Sequence, residues 1–168
     1  MSHGSVEHLL HELSATGVRY IVVGGVAVVL HGYLRLTADL DLVIDLESGN
    51  VTKALDVFSA FGLRPRPPVP LHSFKDPALR AQWREEKHLQ VFSLWHPSGL
   101  EVDLFIEDPF PFAEAYERAR RLSIDDREVR IASIDDLIAM KRVAGRPKDE
   151  EDIRALEALR KTDEHRET

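Results

Sequence analysis

The chain has 168 residues, 43% of them hydrophobic, and a formal net charge of −7. That length fits a single domain over 1–168 with enough apolar residues for a core. It contains no apolar run near the ~20 residues of a membrane span, no basic-then-apolar leader, and no cysteine for a disulfide or a thiolate zinc site. The expectation is a soluble cytoplasmic protein with no membrane partner, and the acidic balance argues against sequence-blind binding to duplex nucleic acid, which depends on neutralising phosphates.

Residues 5–16 place Val6, Leu9, Leu10 and Leu13 at helical spacing, and Gly17 is expected to stop that helix. Residues 18–23 read as a buried strand, 25–32 as a short apolar helix ended by Gly32, and 38–45 as a second strand. Residues 49–61 form a second amphipathic helix, with Val51, Ala54, Leu55, Val57, Phe58 and Phe61 inward. Four prolines within 64–70 exclude helix and central strand and predict a rigid extended loop. Asp76 as cap and Pro77 at the first position open a helix over 76–87. Strands 88–95 and 100–106 flank the turn Pro97-Ser98-Gly99. A helix is predicted over 110–122, a short strand over 128–132, a helix opened by Ser133 and ended by Gly145, and a last helix over 147–161 before a polar, frayed tail.

Chemistry concentrates in few residues. Asp39 and Asp41 lie two apart in an apolar strand, so they share one face while Leu40 and Leu42 point into the core. Asp103, between Val102 and Leu104, is placed to join them. Three such carboxylates repel by roughly 3 kcal/mol per pair at ~5 Å and an effective dielectric of ~20. A divalent cation relieves that, and magnesium suits carboxylate oxygens shared with phosphates, with manganese as a substitute. Two ions clamp the attacking and leaving oxygens of an in-line displacement, and Asp103 is also placed to take a proton from the attacking hydroxyl. Asp45 reads as a strand-end cap. Glu101 is assigned the face opposite Asp103.

Gly24-Gly25 closes a strand and opens a helix, where bare backbone N–H groups suit phosphate. Thr37 shares the aspartate face and is placed to orient a phosphate or a metal-bound water. Arg35 either balances phosphate charge or pairs with a carboxylate. His31 reads as packed and hydrogen-bonded. The 64–87 segment is basic, with Arg64, Arg66, Lys75, Arg80, Arg84 and Lys87 against Asp76, Glu85 and Glu86. It is either a solvated face or a contact surface for a nucleotide or RNA. Trp83, Phe74 and Trp95 are candidates for base stacking, with core packing favoured for Trp95.

Val23-Gly24-Gly25, thirteen intervening residues, Asp39-Leu40-Asp41-Leu42 and then Val102-Asp103-Leu104 together resemble the nucleotidyltransferase superfamily related to DNA polymerase beta. Arg35-x-Thr37-x-Asp39-x-Asp41, Lys141 and the run Gly145-Arg146-Pro147-Lys148-Asp149 look like its AbiEii/MenT-type branch, known from toxin–antitoxin pairs. The resemblance implies that Lys141 helps hold a triphosphate and that the segment Arg146-Pro147-Lys148-Asp149 borders the site. Asp149 and Asp152 read as helix-start charges favoured by the dipole. Gly25 stands where many active members carry serine.

The fold expected is α/β (α+β): a small mixed, largely antiparallel sheet with helices on one face and a short helical part over 133–161. The function expected is magnesium-dependent transfer of a nucleoside monophosphate from a triphosphate, ATP among them, to an acceptor hydroxyl. Transfer RNA, a small molecule and a protein are the competing acceptors, and a cognate antitoxin or toxin is a possible partner. The alternative is a non-catalytic nucleotide-binding or antitoxin-like module of the same fold.

Overall fold

A computed structural model describes residues 3–167. Met1 and Ser2, where the leader was sought, and Thr168, at the end of the polar tail, lie outside the described residues. The first helix, α1 (Val6–Ala15), begins where Ser5 Oγ accepts from the His8 amide, and it buries Leu9, Leu10 and Leu13. Strand β1 (Tyr20–Val23) runs directly into α2 (Gly24–Leu30). After a loop, β2 (Asp39–Ile44) returns antiparallel to β1, pairing Val23 with Asp41. Helix α3 (Ser48–Phe61) is capped by the Glu47 carboxylate on the Gly49 and Asn50 amides and turns its apolar face into the core.

The proline cluster holds a two-residue edge strand, β3 (Arg64–Pro65), which suits a residue with no N–H to give to a second neighbour. A 3-10 turn over Leu71–Lys75 follows, unannounced in the sequence pattern. Helix α4 (Pro77–Lys87) starts as expected, with Asp76 accepting from the Ala78 amide. Strands β4 (Val91–Trp95) and β5 (Glu101–Phe105) form the expected hairpin.

The helix expected over 110–122 is shorter than predicted. Helix α5 (Phe112–Arg118) stops, and Arg120–Ile124 is a strand, β6, paired antiparallel with β7 (Arg127–Ile131). The reason lies in the turn. Asp125 and Asp126 both adopt left-handed φ, 49° and 63°, the conformation of a two-residue hairpin loop. Helix α6 (Ile134–Ala144) is capped by Ser133 Oγ on the Asp136 amide. Helix α7 (Pro147–Arg166) runs past the end expected at 161, fastened by Arg160 to Asp135 at 2.6 Å.

The sheet order is β3-β4-β5-β2-β1-β7-β6. The pairs β1–β7 and β2–β5 are parallel and the other four are antiparallel, so the sheet is mixed and largely antiparallel. All four residues of β1 are buried, which means both sheet faces are covered at its centre, not one face alone. Among the described residues, no helix is long and apolar enough to cross a membrane.

Candidate functional site

Alternation along β2 puts Leu40 and Leu42 at zero exposure and leaves Asp39 and Asp41 half-buried on the other face. Parallel pairing with β5 sets Asp41 directly beside Asp103, and Asp39 beside Glu101. The carboxylates therefore meet because two strands distant in sequence are neighbours in this register. Asp39, Asp41 and Asp103 all line an open cleft of about 1090 Å³. Glu101 does not face away from Asp103. The two are alternate residues of one strand and share a face, and the Glu101 carboxylate is taken by Arg66. Asp45 caps the strand end as expected, accepting from the Glu47 amide and pairing with Arg19 at 2.8 Å.

Burial pushes the Asp41 carboxyl up to about 7, with the Asp103 and Asp39 charges adding to the rise and Lys141 and Arg146 opposing it. The geometry thus concentrates negative charge where water is scarce. Among the described residues, no three His, Asp or Glu side chains close around a single point as a complete metal cage. Magnesium needs no such cage: it takes one or two carboxylates and fills its octahedron with water and phosphate oxygens. Hard oxygen donors that repel one another in an open cleft fit that ion.

Gly24 and Gly25 line the same cleft. Gly24 has φ +67°, and a β-carbon there would overlap the Asp41 carboxylate. A β-carbon on Gly25 would lie 2.5 Å from Thr37 Oγ1 and 3.0 Å from Arg35 Nη2. The diglycine is therefore the space that lets the turn sit against Asp41, Thr37 and Arg35. A serine at 25 would require Thr37 to shift. The start of α2 carries no side-chain cap, so its first N–H groups remain open to another acceptor.

The cationic wall comes from the far end of the chain. Lys141 is buried, not solvated, and its Nζ lies 2.7 Å from Asp152 and 3.5 Å from Asp149. Arg35 gives Nη2 to the same Asp152 at 2.9 Å and Nη1 to the Leu36 carbonyl. Arg146 pairs with Asp149 at 2.9 Å, and its own backbone N–H donates to that carboxylate. Asp149 and Asp152 are 1% and 4% exposed, so they are more than dipole decoration at a helix start. They bind cations from the 33–38 loop, α6 and the α6–α7 turn into one rigid set along the cleft. Their spacing of three residues on one helix face was the sequence signal for this role.

The remaining candidates separate. His31 is packed as expected: Nε2 donates to the Ala132 carbonyl at 2.8 Å, Nδ1 faces Arg120, and burial lowers its pKa. Within the basic segment, Arg80 is buried and donates to the Phe74 carbonyl, while Arg84 lines the cleft but is tied to Glu107 at 2.9 Å. Trp83 and Phe74 are core residues packed on Phe92, with the Trp83 ring 5.2 Å from it and nearly parallel, so neither is offered to a base. Trp95 is the half-buried one, on the same face of β4 as Ser93.

Comparison with solved structures places this architecture among known folds. The chain is similar to the lincosamide antibiotic adenylyltransferase LnuA, solved with lincomycin bound: TM-score 0.60, 16% identity, covering 90% of this chain and 94% of that one. It is similar to ANT(2″)-Ia in complex with adenylyl-2″-tobramycin, TM-score 0.55 and 17% identity over 95% of each chain. It is also similar to an antigenic nucleotidyltransferase-like protein from Paracoccidioides brasiliensis, TM-score 0.51 and 21% identity over 92% of this chain and 72% of that one. At these identities the likeness is one of fold. Among curated proteins, none matches the chain. A family model described as Nucleotidyltransferase of unknown function (DUF6036) matches residues 5–165, and the chain belongs to that family of nucleotidyltransferases.

Proposed function

We propose that the chain acts as one catalytic unit that moves a nucleoside monophosphate from a nucleoside triphosphate to the hydroxyl of a small-molecule acceptor. The observation that carries this reading is the register of β2 against β5. It sets Asp41 beside Asp103, next to a wall of Arg35, Lys141 and Arg146 held by two buried aspartates. Asp39, Asp41 and Asp103 would hold divalent metal, magnesium or manganese, which supplies charge neutralisation for the phosphates when bound. Lys141, Arg35 and Arg146 meet the triphosphate, with Thr37 and the open amides of Gly24-Gly25 on its other side. The acceptor oxygen bonds to the α-phosphorus as the bond to the bridging oxygen breaks, and pyrophosphate leaves. The acceptor proton goes to the Asp103 carboxylate. Pre-set cations and dipoles, needing no rearrangement as charge moves to the leaving group, provide the rate.

The lining beyond Asp103 supports a small-molecule acceptor. There β5 leads through Phe105 to Glu107, Asp108 and Phe110, with Val91 opposite Phe105. Arg84 on that side is already paired with Glu107 and Glu85. Carboxylates and aromatic rings without a spare cation repel a phosphate backbone and suit a compact, partly apolar hydroxyl compound. The lincomycin and tobramycin complexes of the two neighbours are in keeping with such an acceptor.

The test is incubation with α-labelled nucleoside triphosphates, magnesium and separated cell fractions. Label is expected on a small molecule, and to be lost in Asp41→Asn and Asp103→Asn. Label on RNA would replace this acceptor with that of the AbiEii/MenT-type toxins, and growth arrest relieved by a neighbouring gene product would then mark a toxin–antitoxin pair. Nucleotide binding without any transfer would refute the reading.

A further inference from the structure

Of the three site aspartates, only Asp103 receives a hydrogen bond from the protein among the described residues. Ser93 Oγ donates to Asp103 Oδ1 at 2.6 Å, a short hydroxyl-to-carboxyl hydrogen bond. The pair is built into the sheet. Ser93 and Asp103 are directly opposed in the β4–β5 register and lie on the same face. The Ser93 backbone is fixed on its other side as well, its carbonyl accepting from the Arg66 amide at 2.9 Å. No other hydrogen bond is made by the Ser93 hydroxyl among the described residues, so its single proton is committed to Asp103. The Asp39 and Asp41 carboxylates receive no such donor among the described residues.

We infer that Ser93 is a positioning residue of the transfer site: by bonding Oδ1 it holds the Asp103 rotamer and so fixes the direction from which the carboxylate meets the acceptor hydroxyl. This inference rests on the proposed function for its catalytic meaning, and on the β4–β5 geometry for its structural content. It sets Asp103 apart within the carboxylate set. Beside the metal it would share with Asp39 and Asp41, Asp103 alone is aimed and held by a neighbouring side chain, which is the requirement for taking a proton from a hydroxyl that must attack from a fixed direction.

The experiment compares Ser93→Ala and Ser93→Thr with the unaltered protein, in two readouts. In crystal structures, Asp103 is expected to leave its single rotamer in Ser93→Ala and to retain it in Ser93→Thr, whose hydroxyl keeps the donor. In steady-state kinetics on the labelled acceptor, Ser93→Ala is expected to lower kcat about 10- to 100-fold, the range for a lost hydrogen bond to a charged group. The nucleotide KM should stay within about twofold, and Ser93→Thr should restore most of kcat. An unmoved Asp103 rotamer in Ser93→Ala or an unchanged kcat would overturn the inference. A protein that transfers label to nothing would refute the proposed function, while the rotamer comparison would still decide the role of Ser93.

Discussion

Replacing Asp41 by asparagine is expected to remove transfer and, in the same stroke, to stabilise the metal-free protein at neutral and alkaline pH. The Asp41 carboxyl titrates at about 7 in the fold against 3.8 for an ordinary aspartate, chiefly because it is buried and secondarily because Asp103 and Asp39 lie close. Between those values the folded chain keeps a proton that the unfolded chain has released. Stability therefore falls as pH rises from about 4 to about 7 and stays reduced above that. A rise of about three pKa units corresponds to roughly 4 kcal/mol at full conversion. Asp41 borders an open cleft, and solvent access discounts the penalty to about 2 kcal/mol. Asparagine has nearly the same shape and no charge, so at pH 8 the variant should unfold about 4–8 °C higher than the unaltered protein, and at pH 4.5 the two should nearly coincide. The assay is thermal unfolding of both proteins in chelator across that pH range. Magnesium should then raise the unaltered protein by about 2–3 kcal/mol at a hundredfold excess over its dissociation constant, and leave the variant where it was. A variant that unfolds at or below the unaltered protein at pH 8, or whose gain is the same at pH 4.5, would refute the claim that ionising the buried Asp41 carboxyl costs stability.

Asp152→Ala removes the carboxylate shared by Arg35 and Lys141, so the triphosphate KM should rise at least about tenfold and stability should fall by about 3 kcal/mol, read by urea unfolding. The pair Lys141→Met with Asp152→Leu should recover stability without recovering transfer, which separates the fold from the chemistry. Gly25→Ser should cost about 1–3 kcal/mol and most of the activity because its β-carbon meets Thr37, and adding Thr37→Ala should return part of the stability. If the double variant is no more stable than Gly25→Ser, Thr37 is not the obstacle. Trp83→Ala should destabilise by about 3–5 kcal/mol and leave the nucleotide dissociation constant unchanged, measured by calorimetry at a temperature where the variant is folded.

Local patterns made much of this protein legible before any coordinates. Alternation in Asp39–Ile44 separates two carboxylates from a leucine stripe because successive strand residues point to opposite faces. Ser5, Asp76 and Ser133 open their helices because a short oxygen-bearing side chain satisfies an amide within its own turn. Where reading failed, a partner was missing from view. Arg120–Ile124 is a strand only because β7 lies beside it across the Asp125-Asp126 turn, and by sequence its residues continue a helix equally well. Trp83 and Phe74 lose a stacking role because both rings pack on Phe92, which lies outside the local pattern of either. Glu101 needs no distant partner to be placed, since strand alternation by itself puts it on the face of Asp103 and not opposite it.

The order of residues along the chain states which groups are present for chemistry: a bare glycine turn, a pair of aspartates on one strand face, and a third aspartate between apolar neighbours. Packing sets Asp41 and Asp103 side by side, gives Ser93 to the latter, and lets Asp149 and Asp152 gather Arg35, Lys141 and Arg146 into one wall. The difference is one of range. Side-chain direction along a strand or helix repeats over two to four residues and is written in the chain, whereas a charge pair between residues 35 and 152 exists only once the sheet has set its register and α7 has packed on α6.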